Sequence, residues 1–245
     1  LLHNYIHTLA YGTDAGFYRL VPKLVVKAKD EDEVVFVLKN CSELGLPVTF
    51  RAAGTSLSGQ AITDSVLLIA GNHWKKYSID REGLQIKLQP GVIGAKANAV
   101  LAPYGRKIGP DPASINAAMI GGIAANNASG MCCGTAENSY KTIASMRVIF
   151  ADGSLLDTSD PESKLKFTQT HPQFIQDISE MAESVKANSE LANRITRKFK
   201  MKNTTGYSLN ALVDFADPFE IIEHLMIGSE GTLGFIAEIS YKTVV

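Results

Sequence analysis

The sequence predicts an α+β fold in two lobes: a small α/β lobe with a parallel βαβ unit, and a larger lobe whose mostly antiparallel sheet is flanked by helices. Two observations support this prediction. Between residues 24 and 50, an apolar strand, an amphipathic helix and a second apolar strand follow one another, which is the order of a βαβ unit. After Gly71–Trp74, short alternating segments and glycine-containing turns become common, as expected for hairpins. We therefore predict a small lobe at 1–72 and a larger lobe at 73–245.

The small lobe begins with the predicted strand Leu24–Val26, which is apolar and mostly β-branched, a composition typical of strands. Asp30 and Glu33 then form a capping-box pair ahead of apolar residues at helical spacing, and such a pair predicts a helix start. Gly45 predicts the end of this helix, because glycine readily adopts the left-handed conformation found there. Pro47–Phe50 returns as a strand, and a helical crossover makes the two strands parallel.

The larger lobe is predicted from hairpin and helix patterns. The alternation in "LQIKL" and the Asp-Gly turn within "MRVIFADGSLLD" each predict a β-hairpin, and apolar residues at helical spacing predict helices. The predicted elements are hairpins at 76–91 and 143–157, a small-residue helix near Ile93–Leu101, mostly helical structure at His171–Lys200, a short helix from Asp217–Pro218, and a final alternating strand at Gly234–Val244.

Composition argues against several classes of function. The 245 residues carry a formal net charge of −1 with no block of like charge, so no nucleic-acid partner is expected. No signal peptide or membrane-spanning segment is visible. The three cysteines include no C-x-x-C pair, so we predict no metal site. A cytoplasmic location suits unpaired cysteines, with peripheral association of the full-length protein at a membrane as the alternative.

The stretch "RAAGTSLSGQ", from Arg51 to Gln60, holds two glycines, three hydroxyl residues and no acidic group. Gly54 and Gly59 allow the backbone to turn tightly and to approach a ligand. Successive backbone N–H groups in such a loop can hold an anion such as a diphosphate. The loop is neither a Walker A loop, since no lysine follows the second glycine, nor a Rossmann fingerprint, since the G-x-G opening is missing. An ordinary turn between strands is the alternative.

Two further stretches share this glycine-rich character. "GPDPASINAAMIGGIAANNASG", at Gly109–Gly130, interleaves glycines with alanines, and "GSEGTLGFIAE", at Gly228–Glu238, leads into the last strand. Small residues suit a backbone that lies flat against a planar or extended ligand. A tightly packed helix with glycine kinks is the alternative for the first of these stretches. Convergence of all three segments on one long nucleotide is the simplest common explanation.

Four motifs, "RAAGTSLSGQAI", "IGPDPASINAAMIGGIAANNASG", "KNTTGYSL" and "GSEGTLGFIAE", resemble the FAD-binding PCMH-type domain of the vanillyl-alcohol oxidase/p-cresol methylhydroxylase flavoproteins, and they keep the order of that family. The resemblance covers essentially the whole chain. Within the family, the chain is most similar to the D-lactate and glycolate dehydrogenase branch of FAD-linked 2-hydroxy-acid oxidoreductases. The resemblance therefore implies a flavoprotein, with FAD bound in an extended form between the two lobes.

The resemblance also implies which residues bind FAD. The first loop would hold the diphosphate, the 110–130 stretch would run along the diphosphate and the ribityl–isoalloxazine side, and the 230–236 segment would contact the adenosine and ribityl part. The implied cofactor-binding residues are Arg51, Ala53, Gly54, Thr55, Ser56, Leu57, Ser58, Gly59, Gln60, Pro110, Asp111, Ser114, Gly121, Gly122, Ala125, Asn127, Gly130, Glu230, Gly231, Gly234 and Ile236. Lys202 and Asn203 match the third motif, where a position near the flavin and a plain polar turn are both open. Some relatives attach the flavin to a histidine near the first loop; none lies between Arg51 and Asp64, so we expect non-covalent FAD.

The activity implied by the resemblance is oxidation of a D-2-hydroxy acid, such as D-lactate or glycolate, to the 2-keto acid. The α-hydrogen would pass to flavin N5, and a separate or downstream acceptor, with iron–sulfur modules as one option, would reoxidise the flavin. In such enzymes a C-terminal cap domain supplies the substrate-binding and catalytic residues, and we identify no catalytic acid–base pair here. We expect the chain to be an inactive piece of a longer protein without this cap. The alternatives are an alkyl-transfer flavoenzyme of the alkylglycerone-phosphate synthase type and a nucleotide-binding module without activity of its own.

Overall fold

The computed structural model describes residues 1–80 and 82–245. Over these ranges the chain forms two β-sheets surrounded by helices. The strands are β1 Leu24–Lys27, β2 Val48–Arg51, β3 Val66–Ile69, β4 Tyr77–Ile79, β5 Gln85–Leu88, β6 Lys107–Ile108, β7 Ile143–Ile149, β8 Leu155–Asp157 and β9 Phe235–Val244. The helices are α1 Tyr5–Leu9, α2 Glu31–Glu43, α3 Gly94–Leu101, α4 Ile120–Asn126, α5 Ser139–Thr142, α6 Pro161–Thr170, α7 Pro172–Ala187, α8 Ser189–Phe199, α9 Ala211–Asp214 and α10 Pro218–Met226. Across the described residues, no helix combines the length and the apolar character needed to cross a bilayer.

The small lobe contains a parallel three-stranded sheet in the order β1-β3-β2. Helix α2 connects β1 to β2 and begins as predicted, because the Asp30 carboxylate accepts a hydrogen bond from the Glu33 backbone N–H at 2.9 Å. The Glu33 side chain in turn accepts one from the Lys29 N–H at 2.9 Å, and Gly45, at φ +63°, follows the end of the helix. The parallel βαβ unit is confirmed, and β3 lies between the two strands that the unit joins.

The first glycine-rich loop leaves the carboxyl edge of this sheet. Strand β2 ends at Arg51 and β3 begins at Val66, so residues 52–65 make a long excursion before the chain returns as the third parallel strand. In open sheets of this kind, ligands bind outside the carboxyl ends of the strands. The loop therefore lies where the sheet topology favours a ligand.

The larger lobe contains a six-stranded sheet in the order β4-β5-β9-β7-β8, with β6 also paired to β9. The strand pairs of this larger sheet are antiparallel among the described residues, and both predicted hairpins are present as β4–β5 and β7–β8. The turn of the first hairpin includes residue 81, which lies outside the described residues. The predicted final strand is present as β9, but its burial does not alternate, because Phe235, Ile236 and Ala237 are all buried and Lys242 is the one exposed residue among its described positions. Ile236, Ile239 and Tyr241 pack in the main core, whereas Phe235 and Ala237 pack in a second core shared with the small lobe.

The helical structure predicted at His171–Lys200 divides into α7 and α8 at Asn188. The Asn188 side chain accepts a hydrogen bond at 3.1 Å from the backbone N–H three residues later, so it caps α8. The small-residue helix and the helix after Asp217 are confirmed as α3 and α10. Helix α6 was not predicted; Asp160 caps it and Phe167 is its buried side chain.

A shared apolar core joins the two lobes. Trp74 is almost fully buried, and its indole N–H donates to the Ala28 carbonyl at 2.8 Å. The Trp74 ring centroid lies 5.1 Å from that of Phe235, which lies 5.4 Å from that of Phe50. The parallel sheet precedes Gly71 and the antiparallel sheet follows it, but the division of the chain at residue 72 stays a prediction.

Candidate functional site

A cavity of about 440 Å³ is lined from both lobes. The loop after β2 contributes one wall, helix α4 and the residues after it contribute a second, and segment 230–236, which leads into β9, contributes a third. These are the three glycine-rich stretches of the sequence analysis. Although they are far apart in the sequence, the fold brings them around one space.

Most of the predicted cofactor-binding residues line this cavity. They are Arg51, Ala53, Gly54, Thr55, Ser56, Leu57, Ser58, Gln60, Ser114, Gly121, Gly122, Ala125, Glu230, Gly231, Gly234 and Ile236. The predicted residues that do not line it are Gly59, Pro110, Asp111, Asn127 and Gly130. Of these, Asn127 lines a second cavity, and Gly130 packs directly on the backbone carbonyl of Asp111. That any of these residues contacts FAD stays a prediction.

The first loop offers unused hydrogen-bond donors. Within the part of the chain that the structure describes, the backbone N–H groups of Gly54–Leu57 have no protein acceptor. Gly54 adopts φ +70°, and a side chain there would meet the guanidinium of Arg51 at 2.5 Å, so this position requires glycine. Successive free N–H groups of this kind attract an anion without a formal positive charge.

Arg51 anchors the N-terminal segment to this loop. Its guanidinium donates to the carbonyls of Tyr11 at 3.2 Å and Thr13 at 2.8 Å, and the Ala15 N–H donates to the Gly54 carbonyl at 3.0 Å. Burial lowers the pKa of the Arg51 guanidinium from its ordinary value. Anchoring is therefore what the contacts of Arg51 show, and a contact with phosphate stays a prediction.

Helix α4 presents small residues to the cavity. A side chain at Gly121 would clash with Pro90, whose Cβ would lie 2.6 Å from the new atom. Gly122 differs, because the described residues place only the Ala52 Cβ, at 3.8 Å, within 4 Å of such an atom. Packing thus accounts for Gly121, whereas Gly122 leaves a bare stretch of backbone against which a flat ligand can lie.

The segment before β9 is fastened to the end of α4. The Glu230 N–H donates to the Ala125 carbonyl at 2.8 Å, and the Gly228 N–H donates to the Ala124 carbonyl at 3.2 Å. The Glu230 carboxylate accepts a hydrogen bond from the Asn126 side chain at 2.6 Å, and burial raises its pKa. Because Glu230 adopts φ +53°, which is unfavourable for a residue with a side chain, these bonds hold a strained turn in place.

Some of the lining residues were not predicted. Lys202 and Thr204 belong to the "KNTTGY" motif, which the sequence analysis left open, and Lys202 donates to the Ser129 carbonyl. The motif therefore reaches the cavity. The other unpredicted residues are Phe50, Ala52, Ala61, Ala70, Pro90, Pro112, Ala118, Met119, Ile123, Asn126, Ala128, Ser129 and Phe235. Most of these residues lie within the quoted motifs, which place the segment near the ligand without showing which of its side chains face it. Phe50, Ala70 and Pro90 lie outside the motifs and carry no distinguishing signal in a single sequence.

The chemistry of this lining fits an extended dinucleotide. The loop supplies free N–H donors for a diphosphate, while the small residues of α4 and the apolar start of β9 suit an aromatic ring system. Arg51, Lys202 and Glu230 are the charged residues among those that line the cavity. Among the described residues, no group of three or more His, Cys, Asp or Glu side chains could hold a metal ion.

Comparison with known proteins agrees with this chemistry. The family model described as "FAD binding domain" matches residues 22–159, more than half of the chain. The D-2-hydroxyglutarate dehydrogenase of Pantoea ananatis (strain AJ13355) is 26% identical over 245 residues, covering 96% of this chain and 24% of the relative. The glycolate oxidase subunit GlcD of Escherichia coli (strain K12) is 36% identical over 136 residues, covering 54% of this chain and 27% of the relative.

A solved structure of alkyldihydroxyacetonephosphate synthase is similar in fold, with a TM-score of 0.64 at 16% identity, covering 99% of this chain and 37% of that one. The chain spans about a quarter of the length of the two curated relatives. The matched range of the family model includes the first two glycine-rich segments and ends before the third.

Proposed function

The chain belongs to the FAD binding domain family, and from this premise we propose that its cavity holds non-covalent FAD in an enzyme that oxidises a small D-2-hydroxy acid to the 2-keto acid. One observation carries the proposal for the site: three glycine-rich segments, distant in sequence, line a single cavity that contains free backbone donors. FAD is the cofactor of the family. The oxidation and its substrate are proposed for the whole protein.

Each wall of the cavity has a role in this proposal. The free N–H groups of Gly54–Leu57 bind the diphosphate, where they act as an anion cradle. Gly122 leaves space for the flat part of the cofactor. Glu230, held on its strained turn by Asn126, accepts hydrogen bonds from hydroxyl groups of the ribityl or ribose part. The apolar side chain of Ile236 helps to exclude water from the same wall.

Bound FAD supplies the two-electron redox chemistry of the reaction. Oxidation of a 2-hydroxy acid removes the α-hydrogen with two electrons and also removes the hydroxyl proton, so the protein must hold the carboxylate and accept that proton. Among the described residues that line the cavity, Glu230 has the only carboxylate side chain, and none is a histidine. We assign neither task to a residue of this chain.

The substrate class is inferred from the similar proteins. The names of both curated relatives contain a 2-hydroxy acid, 2-hydroxyglutarate in one case and glycolate in the other. The shared 2-hydroxycarboxylate group is the basis of the proposal, and it leaves the side chain of the acid open. D-lactate and glycolate are the two members of this class that the family resemblance of the sequence implies.

Titration of the purified chain with FAD tests the cofactor site. We expect a saturable change in the flavin absorbance spectrum and a rise in melting temperature, because FAD binds the folded state only. Denaturation should then release all of the flavin into solution. A titration without spectral change or thermal stabilisation would contradict the site, and flavin that stays with the denatured chain would contradict non-covalent attachment.

Turnover by the full-length protein tests the reaction separately. We expect D-lactate, glycolate or D-2-hydroxyglutarate to reduce an artificial electron acceptor and to yield the corresponding 2-keto acid. An alkyl-transfer flavoenzyme would instead join a fatty alcohol to an acylated glycerone phosphate without net reduction of the acceptor. If FAD binds but no 2-hydroxy acid reduces the acceptor, the cofactor site stands and the proposed oxidation is wrong.

A further inference from the structure

Glu230 has the only carboxylate side chain among the described residues that line the cavity proposed to hold FAD. It lies half-buried on the turn between α10 and β9, and its Oε1 atom accepts a hydrogen bond from the Asn126 side chain at 2.6 Å. FAD is itself an anion, because both phosphates of its diphosphate carry a negative charge. A carboxylate is therefore an unexpected group in the lining of such a site.

A short series of side chains joins Glu230 to the first glycine-rich loop. The Ser56 hydroxyl donates a hydrogen bond to the Gln60 amide oxygen, and the amide group of Gln60 faces the Glu230 carboxylate as a hydrogen-bond donor. Ser56 is also one of the loop residues whose backbone N–H has no protein acceptor among the described residues. One glutamine side chain thus separates Glu230 from the proposed position of the diphosphate, so a bound diphosphate would repel a negative charge on Glu230.

No cation in contact with Glu230 offsets this repulsion. Over the described ranges, no Lys, Arg or His nitrogen lies within 4.0 Å of its carboxylate. Lys202 and Arg51, the cations of the lining, donate to backbone carbonyls instead. Tyr207 belongs to the segment packed against the same turn, and its hydroxyl group is hydrogen-bonded to that of Thr232 at 2.8 Å.

The surroundings of Glu230 already favour its neutral form. Burial raises the pKa of its carboxyl group, and the hydrogen bonds from Asn126 and Gln60 offset only part of that rise. A neutral carboxyl group still accepts hydrogen bonds and also gains an O–H donor. It can therefore keep its bond to Asn126 and donate to an oxygen of the cofactor, whereas a carboxylate can only accept.

We propose that Glu230 binds FAD in its neutral, protonated form, so that the chain takes up a proton from solvent when FAD binds. The inference rests on the proposed FAD site. Because a nearby like charge disfavours ionisation, Glu230 holds the proton more tightly in the complex than in the free chain. The affinity for FAD is highest below the pKa of Glu230 in the free chain. It falls by up to about tenfold per pH unit above that value, and it levels off above the pKa in the complex.

Flavin fluorescence titrations of the purified chain between about pH 5.5 and about pH 8.5 test this coupling, because the flavin and the diphosphate of FAD do not titrate in this range. We expect the dissociation constant to rise by at least about tenfold across it. Calorimetric titrations in two buffers of different ionisation enthalpy count the protons, and near neutral pH they should show net uptake. A dissociation constant independent of pH, or net proton release, would overturn the inference and leave the FAD site intact. Absence of FAD binding at every pH would overturn both.

Matched glutamine variants assign the proton to Glu230. Glu230→Gln keeps the size and the hydrogen bonding of the neutral side chain, so its affinity for FAD should depend little on pH. At about pH 8.5 it should bind FAD at least about tenfold more tightly than the unchanged chain. Glu223→Gln removes another buried carboxyl group with a raised pKa, which does not line the cavity, and it should retain the full pH dependence.

The variants also give the results that would contradict the assignment. These are an unchanged pH dependence in Glu230→Gln, or a lost one in Glu223→Gln. If Glu230→Gln does not fold, Glu230→Asn replaces it with the same expectation, because asparagine tolerates the positive φ of this position better than most residues.

Discussion

Replacement of Gly122 by leucine should abolish FAD binding while the chain stays folded. Gly122 lies in helix α4, is exposed and lines the cavity that is proposed to hold FAD. A Cβ there meets only the Ala52 Cβ, at 3.8 Å, among the described residues, which is ordinary van der Waals contact. Leucine also favours a helix by about 0.8 kcal/mol relative to glycine. The substitution should therefore leave the free energy of unfolding of the free chain unchanged or slightly higher.

The same substitution should weaken FAD binding, although it does not destabilise the free chain. A leucine side chain at Gly122 would occupy the space against which the flat part of FAD is proposed to lie. We expect at least a hundredfold loss of affinity, or about 2.7 kcal/mol, and Gly122→Ala, with a single methyl group, should lose less. The assay is a flavin fluorescence titration of each variant, combined with urea unfolding of the free chain.

A control variant separates a blocked cavity from a general effect of an added leucine. Ser184 is exposed on helix α7 and lines neither cavity, so Ser184→Leu should bind FAD as tightly as the unchanged chain. The reasoning is refuted if Gly122→Leu folds normally and retains full FAD affinity. In that case the bare stretch of α4 does not face the cofactor.

Three further substitutions test other parts of the structure. Burial raises the pKa of Glu223 from 4.5 to about 7. Between these pH values the folded chain keeps a proton on Glu223 that the unfolded chain has released. The free energy of unfolding should therefore fall by about 3 kcal/mol as the pH rises through this range. Urea unfolding across this range should show that Glu223→Gln removes the fall and that Glu183→Gln, at an exposed site, retains it. Gly130→Ala would place a methyl group on the Asp111 carbonyl oxygen and should lower the free energy of unfolding by about 3 kcal/mol; unchanged stability would show that this contact is absent. Arg51→Met removes two hydrogen bonds to the N-terminal segment and should speed proteolysis within residues 11–20 at nearly unchanged FAD affinity, whereas a large loss of affinity with unchanged proteolysis would favour a phosphate contact.

Local patterns predicted the secondary structure where short-range interactions decide it. The capping pair Asp30 and Glu33 set the start of α2, and the Asp152–Gly153 turn set the hairpin β7–β8, because each depends on hydrogen bonds between near neighbours. The pattern failed for most of β9, because cores pack on both sides of Phe235–Ala237 and leave those residues no solvent-facing side. It also missed α6, which a single buried side chain, Phe167, anchors to the core.

For the candidate site too, the sequence predicted some features and missed others. The glycine-rich loops could be identified in the sequence, because positions such as Gly54, with its positive φ, tolerate few other residues. The sequence could not separate Gly121 from Gly122, since only the position of Pro90 makes the first a packing residue. Neither could it show that the neighbours Asn126 and Asn127 line different cavities.

The sequence by itself indicated the α+β class and the three glycine-rich segments, because glycine spacing, capping residues and turn dipeptides act over a few neighbouring residues. The four ordered motifs indicated the family by resemblance. Only the tertiary structure decided which of those residues face the cavity and which support it, and only the tertiary structure revealed the second cavity. These features depend on the approach of segments that are more than seventy residues apart, such as those of Asn127 and Asn210, which line one cavity. No local pattern encodes such distances.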